Sequence, residues 1–345
     1  MAGRVLVAGY PDPEPPKRIR QALEDDALAG VILFRRNIVD PLSTAETLRR
    51  VLAAIDHPVL VAVDQEGGRV ERLKSPVLEL PPMRVLGDRD DVALTRRCAE
   101  TLGRQLRALG FSMNFAPILD VDTNPANPVI GDRAFGVTPE VVIRHATAFA
   151  TGLADAPILG CGKHFPGHGD TDLDSHLALP KLGHDRSRLD AVELAPFAAA
   201  LELPAWMTAH VVFEALDPGV PATLSPKVIG ELLRGELGYR GVVISDDLEM
   251  KAVRDGWGVV RSAELAIEAG CDLLLVCSDV DACLEARAAL ARRAERDASF
   301  AARLREAGDR VLAMRSACPA RVAEPDTIAA ELRRDVPEVH ASDVR

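Results

Sequence analysis

The 345-residue chain is poor in aromatic side chains and carries no pair of cysteines at metal-ligand spacing. Its six cysteines, Cys98, Cys161, Cys271, Cys277, Cys283 and Cys318, are scattered. Free thiols are therefore expected rather than a disulfide framework or a zinc site. No stretch approaches the roughly 18 consecutive apolar residues of a membrane span. The opening "MAGRVLVAGYPDPEPPKR" has no apolar run leading into a small-residue cleavage site, so a cytoplasmic protein without a membrane partner is expected. Positive charge is also in deficit: the net charge is −11, a field that repels polyanions and argues against a nucleic-acid partner. An early glycine-rich nucleotide turn is missing too, which disfavours a dinucleotide fold, and no cofactor is expected.

What is present is an apolar content of 48% with 27% charged residues, the balance of a globular protein with a sizeable core. Short runs rich in Val, Ile and Leu alternate with longer stretches of helical spacing, the pattern of βα units around a parallel sheet. Eight strand-like runs occur, at 4–10, 30–34, 59–64, 111–121, 158–165, 205–212, 241–247 and 271–279. Helical stretches follow them, for example at 43–56, 91–110 and 225–238, where Ser225 can cap and Pro226 can open the helix. Eight such units predict an α/β fold, a single (β/α)8 barrel of the TIM type, with an extra helix near 300–317. The barrel domain is expected over 1–318, and 319–345, alternating acids with Pro and Ala, reads as a peripheral tail with some disorder.

Catalytic groups of such barrels sit where strands end, on the C-terminal face. Strand five runs out into "KHFPGHGDTDLDSH", which holds three histidines and three aspartates. His164 and His168 stand four apart, but Pro166, Gly167 and Gly169 break the helical face a metal pair needs. A glycine-rich loop carrying an acid/base group fits better than a metal site. Asp174, two residues before His176, can reach back to its ring and fix the tautomer. Lys163 and His164 end a buried strand, where a lysine is costly unless it meets a partner or ligand. Strand seven ends in "ISDDLEM", where Asp246 and Asp247 can each be nucleophile, base, metal ligand or helix cap. Asp64, with Arg72 and Arg133, supplies donors and acceptors suited to a polyhydroxylated ring.

Together, "GVILFRRN", "VAVDQEGGRVERL", "NFAPILDVDTNP", "KHFPGHGDTDLDSH", "MTAHVVFEALDPGVPATLSP", "GVVISDDLEM" and "AIEAGCDLLLVCSD" resemble the bacterial β-N-acetylglucosaminidases of glycoside hydrolase family 3. The resemblance spans nearly the whole chain. It implies that Asp246 attacks the anomeric carbon, and that His176, assisted by Asp174, is general acid and then base. It implies that Asp64, Arg72, Arg133, Lys163 and His164 bind the sugar. The implied substrate is a terminal β-linked N-acetylglucosamine on anhydro-muramyl peptidoglycan fragments in the bacterial cytoplasm. Histidine as proton donor departs from the usual carboxylate pair of retaining enzymes. Because a histidine tolerates an incoming phosphate, a phosphorylase on the same barrel is one alternative, and a catalytically silent sugar-binding barrel is another. Two local departures stand out: "AGYPDPEPPKRIR" lacks the "G-x-x-L-T" run common in relatives, and Glu249 stands where a serine is frequent.

Overall fold

In the computed structural model, which describes residues 2–175 and 177–334, each of the eight runs contributes one strand to a closed parallel barrel. The strands are β1 (Leu6–Ala8), β2 (Gly30–Leu33), β3 (Leu60–Val63), β4 (Met113–Asn114), β5 (Leu159–Phe165), β6 (Ala205–Thr208), β7 (Val242–Asp247) and β8 (Leu273–Val276). Each pairs with its neighbours in sequence, and β1 closes on β8 with Leu6 opposite Leu274.

Side-chain alternation explains why these short runs close on themselves. In β3, Leu60 and Ala62 belong to one apolar cluster and Val61 and Val63 to another; in β8, Leu273 and Leu275 separate from Leu274 and Val276 in the same way. The cluster shared with helix residues such as Leu48 and Leu102 is the outer layer, so the other fills the barrel. Both faces of each strand are buried, which favours apolar runs over strict alternation with polar residues.

Several strands are shorter than the runs that predicted them, β4 most of all. Pro117 has no N–H to give to a ladder, so the regular strand ends at Asn114, although the Ala116 and Pro117 carbonyls still accept the Cys161 and Lys163 N–H groups and a bridge joins Ile118 to Lys163. The segment rises toward the C-terminal face, held by the Leu119 N–H to the Lys163 carbonyl at 2.7 Å.

The helices cover the outside. Pro41–Leu52 is capped by Asp40, and Val92–Leu109 is capped by Asp91 and ends on Gly110 in the left-handed region. Ser225 accepts the Val228 N–H at 3.1 Å and opens Lys227–Glu236, which is wound with π-type bonds. Helix Ala298–Ala317 sends Val311 and Met314 into the barrel's inner cluster, with Cys318 just beyond it. It closes the face where the strands begin and leaves the opposite face open for a site. The chain then continues along the outside: Ala320 donates to the Val59 carbonyl, Ala323 to that of Ala108, and helix Pro325–Leu332 buries Ile328. No helix among the described residues is long and apolar enough to cross a membrane. All six cysteines are buried free thiols.

Candidate active site

At the C-terminal face, Asp64, Arg72, Arg133, Lys163, His164 and Asp246 line one cavity. Its volume of about 190 Å³ is below the roughly 300–1,000 Å³ usual for larger ligands, which suits a single ring rather than a chain.

The network is anchored by the segment after β3. The side chain of Asn114 grips Gln65 through both its backbone groups, donating to the carbonyl at 2.8 Å and accepting the N–H at 3.0 Å. The Gln65 amide in turn accepts the N–H groups of Arg72 and Leu73. This pins a tight hairpin whose two ends place Asp64, Glu66 and Arg72 on the cavity wall. The Lys163 ammonium lies 2.8 Å from Asp64 and 2.6 Å from Glu66. Arg133 meets Glu66 with two parallel bonds of 2.9 Å each. Glu66 is 2% exposed. Burial alone would push its carboxyl up, but Arg133 and Lys163 outweigh that and hold it well below the usual carboxylate range. Lys163 is likewise buried, yet Asp64 and Glu66 keep its ammonium above its ordinary value. The lysine has thus found partners. Arg72 has not found enough: its guanidinium stands 3.7 Å from Asp64, and its buried Nε has no hydrogen-bond partner. An orphaned donor on a cavity wall is a place for a ligand oxygen.

Strand β5 ends in an equally fixed polar cluster. The backbone passes through a cis peptide between Lys163 and His164. Asp120, fully buried, accepts from His164 Nδ1 at 2.7 Å and from the His168 N–H at 2.7 Å. Burial opposes ionisation of Asp120, but His164 beside it keeps the carboxyl below its usual range. The two rings of His164 and His168 meet edge to face at 5.9 Å. Burial first, and His164 second, push His168 down to about 4, so it is neutral at ordinary pH. Its Nδ1 bonds Thr171 at 2.8 Å and its Nε2 bonds Ser175 at 3.1 Å. Among the described residues no group of three or more His, Cys, Asp or Glu side chains is arranged to hold a metal ion.

The same loop is sewn to its surroundings by Asp170, which accepts from Thr123 at 2.7 Å and pairs with His184. Gly169 is required by close packing, since a Cβ there would stand 1.8 Å from the Val121 carbonyl oxygen. Asp174 is half-buried and does not line the cavity, although Ser175 beside it does. His176 lies outside the described residues.

Strand β7 presents Asp246 and Asp247 together, where its register with β8 shifts. The two differ in their bonding. Asp247 Oδ1 accepts the N–H groups of Glu249 and Cys277, the turn-capping role that one of the pair was expected to play. Burial, with Glu249 and Asp246 nearby, pushes the Asp247 carboxyl up to about 7 despite those bonds. Asp246 Oδ1 accepts the Asp247 N–H at 2.8 Å. His210, after β6, bridges the Thr223 hydroxyl and the Asp247 carbonyl, which steadies the β7 turn. Glu249 accepts from the N–H groups of Ser278 and Asp279, so it ties the turn after β7 to the turn after β8.

Sequence reasoning passed over Glu66, Asp120 and the clamping role of His168. Glu66 was within reach of a pattern argument, because residues two apart in an extended segment share a face and Asp64 was already a candidate. Asp120 carried no such signal; its importance comes from β5 packing beside it.

A family model described as the glycosyl hydrolase family 3 N-terminal domain matches residues 5–314. The β-hexosaminidase of Alkalilimnicola ehrlichii is 45% identical over 267 residues, which is 74% of this chain and 75% of that protein. The glycoside hydrolase family 3 β-N-acetylglucosaminidase structure from Paenibacillus sp. matches with a TM-score of 0.88 at 41% identity, over 96% of this chain and 67% of that one. NagZ from Neisseria gonorrhoeae in complex with N-trifluoroacetyl-D-glucosamine matches with a TM-score of 0.76 at 33% identity, over 89% of this chain and 98% of that one. With a closed barrel, a charged cavity at its C-terminal face and a family match over nearly its full length, the chain belongs to glycoside hydrolase family 3.

Proposed function

We propose that this glycoside hydrolase is a retaining exo-β-N-acetylglucosaminidase that removes terminal β-linked N-acetylglucosamine through a covalent intermediate on Asp246. Its β-hexosaminidase relatives and the N-acylglucosamine ligand of the Neisseria structure support the sugar. The observation that carries the mechanism is the contrast between the adjacent acids of β7. Asp247 is occupied as a turn cap and held toward its neutral form, which leaves Asp246 as the better nucleophile.

In the first step the Asp246 carboxylate bonds to the anomeric carbon while the bond to the leaving oxygen breaks, and His176 protonates that oxygen. In the second, neutral His176 takes a proton from water, the water oxygen bonds to the anomeric carbon, and the Asp246 carboxylate leaves. Asp174 orients the imidazole. Arg72, Lys163, His164, Arg133 and Asp64 fix the ring by its hydroxyls. The family resemblance supports muropeptide fragments as the aglycone and the cytoplasm as the place of action. Trapping with a fluorinated slow substrate, followed by mass spectrometry, tests the mechanism: a sugar adduct on Asp246 is expected, and an adduct on any other residue overturns it.

A further inference from the structure

The side of the cavity built from the ends of β2 and β3 carries more positive charge than the sugar network explains. Phe34 lines the cavity, and two guanidinium groups lie over its ring: Arg36 at 4.6 Å and Arg72 at 5.7 Å from the ring centre. A third, Arg35, donates to the backbone carbonyl of Arg72 at 3.2 Å. Arg36 is fixed by neutral acceptors, the carbonyls of Tyr10 and Cys277. Among the described residues no carboxylate lies within ion-pair distance of Arg35 or Arg36, and the Asp64 carboxylate facing Arg72 is shared with Lys163. Three arginines therefore stand at two strand ends beside the cavity, and among the described residues the one carboxylate within ion-pair distance of any of them is Asp64, itself bonded to Lys163.

We propose that this rim is an oxyanion subsite, led by Arg35, which binds an anionic group on the far side of the scissile bond. The proposal rests on the exo-glycosidase reading: the terminal ring fills the small cavity, so whatever lies beyond the bond meets the exposed rim residues. An oxyanion there relieves the repulsion among the arginines and accepts the forked donors of a guanidinium. Two sources share that chemistry. One is a carboxylate on the leaving aglycone; the other is inorganic phosphate, whose oxygen bonds to the anomeric carbon as the bond to Asp246 breaks, releasing the sugar 1-phosphate.

The test compares kcat/KM on 4-nitrophenyl N-acetyl-β-glucosaminide with that on the same glycoside bearing a carboxylate on the aryl ring, and separately analyses products in millimolar phosphate. For a carboxylate source, the native enzyme favours the carboxylated glycoside roughly two- to fivefold, as one exposed charge pair allows. The ratio falls toward one in Arg35→Gln and is partly restored in Arg35→Lys. For a phosphate source, N-acetylglucosamine 1-phosphate forms and its share drops in Arg35→Gln. A substrate ratio and a product share that are both the same in native enzyme and Arg35→Gln overturn the subsite while leaving the glycosidase reading intact. No hydrolysis or phosphorolysis of the neutral glycoside by the native enzyme overturns that reading, and the subsite with it.

Discussion

His168 Nε2 lies 3.1 Å from the hydroxyl of Ser175, the residue between Asp174 and His176. The other side of Ser175 is also tied, since its carbonyl accepts the Ala252 N–H at 3.3 Å. His168 is itself immobilised by Asp120, Thr171 and Asn127. A rigid neutral imidazole thus holds Ser175, the chain neighbour of the proposed acid/base. Ser175→Ala should cost about 1 kcal/mol of stability or less, the scale of one lost hydrogen bond. It should nevertheless lower kcat by roughly tenfold with little change in KM, because misplacing a catalytic group is costlier than losing the bond that placed it. Thermal melts and steady-state kinetics together check this; a drop in stability with unchanged kcat would assign the bond to folding alone.

The buried Glu66 carboxylate neutralises Lys163 and Arg133 together. Glu66→Gln leaves both cations under-compensated, and about 3–5 kcal/mol of destabilisation is expected for a broken buried pair. The pH dependence has a definite sign. Glu66 has a folded value depressed below the ordinary carboxylate value of about 4.3, so its stabilisation is present above that pH and is lost as pH falls through the lower folded value. Melting temperatures of the native protein should therefore fall below about pH 4, and the fall should be shallower in Glu66→Gln.

Asp246→Ala should remove turnover by several orders of magnitude while leaving the melting temperature close to native. Asp247→Asn should be milder in kcat and should change the pH response instead. The Asp247 carboxyl, pushed up to about 7 by burial, favours the native state in its protonated form. That contribution is full at low pH and is lost as pH rises through about 7. Asp247→Asn should thus flatten the stability loss between about pH 4 and 7, with the amide oxygen still able to accept from Glu249 and Cys277. A pH series of melts decides it; parallel curves for both proteins would contradict the assignment.

His176→Ala should harm substrates with poor leaving groups far more than activated aryl glycosides, whose departure needs little protonation. Asp174→Asn should reproduce part of that selective loss. Equal losses on both substrate types, measured where glycosylation limits the rate, would remove His176 from the acid role.

The barrel was legible in the chain because eight apolar runs of strand length alternate with helical spacing, and local chemistry such as Ser225 marks a helix start. These are short-range effects, and sequence neighbours suffice to express them. Asp64, Lys163, His164 and Asp246 were legible for a related reason: a charged or polar side chain at the end of a buried strand needs a partner. Arg72 and Arg133, by contrast, lie outside the barrel strands and were marked as sugar-binding by the family resemblance. Which partner each side chain meets was decided only by barrel closure. Lys163 and Glu66 are 97 positions apart in the chain, and Asp120 becomes a histidine anchor only because β5 packs beside the segment that leaves β4. The different fates of Asp246 and Asp247 were likewise invisible in two identical letters. They follow from the register shift at the end of β7, which turns one carboxylate toward backbone N–H groups at Glu249 and Cys277 and so sets its burial, its bonding and its proton affinity.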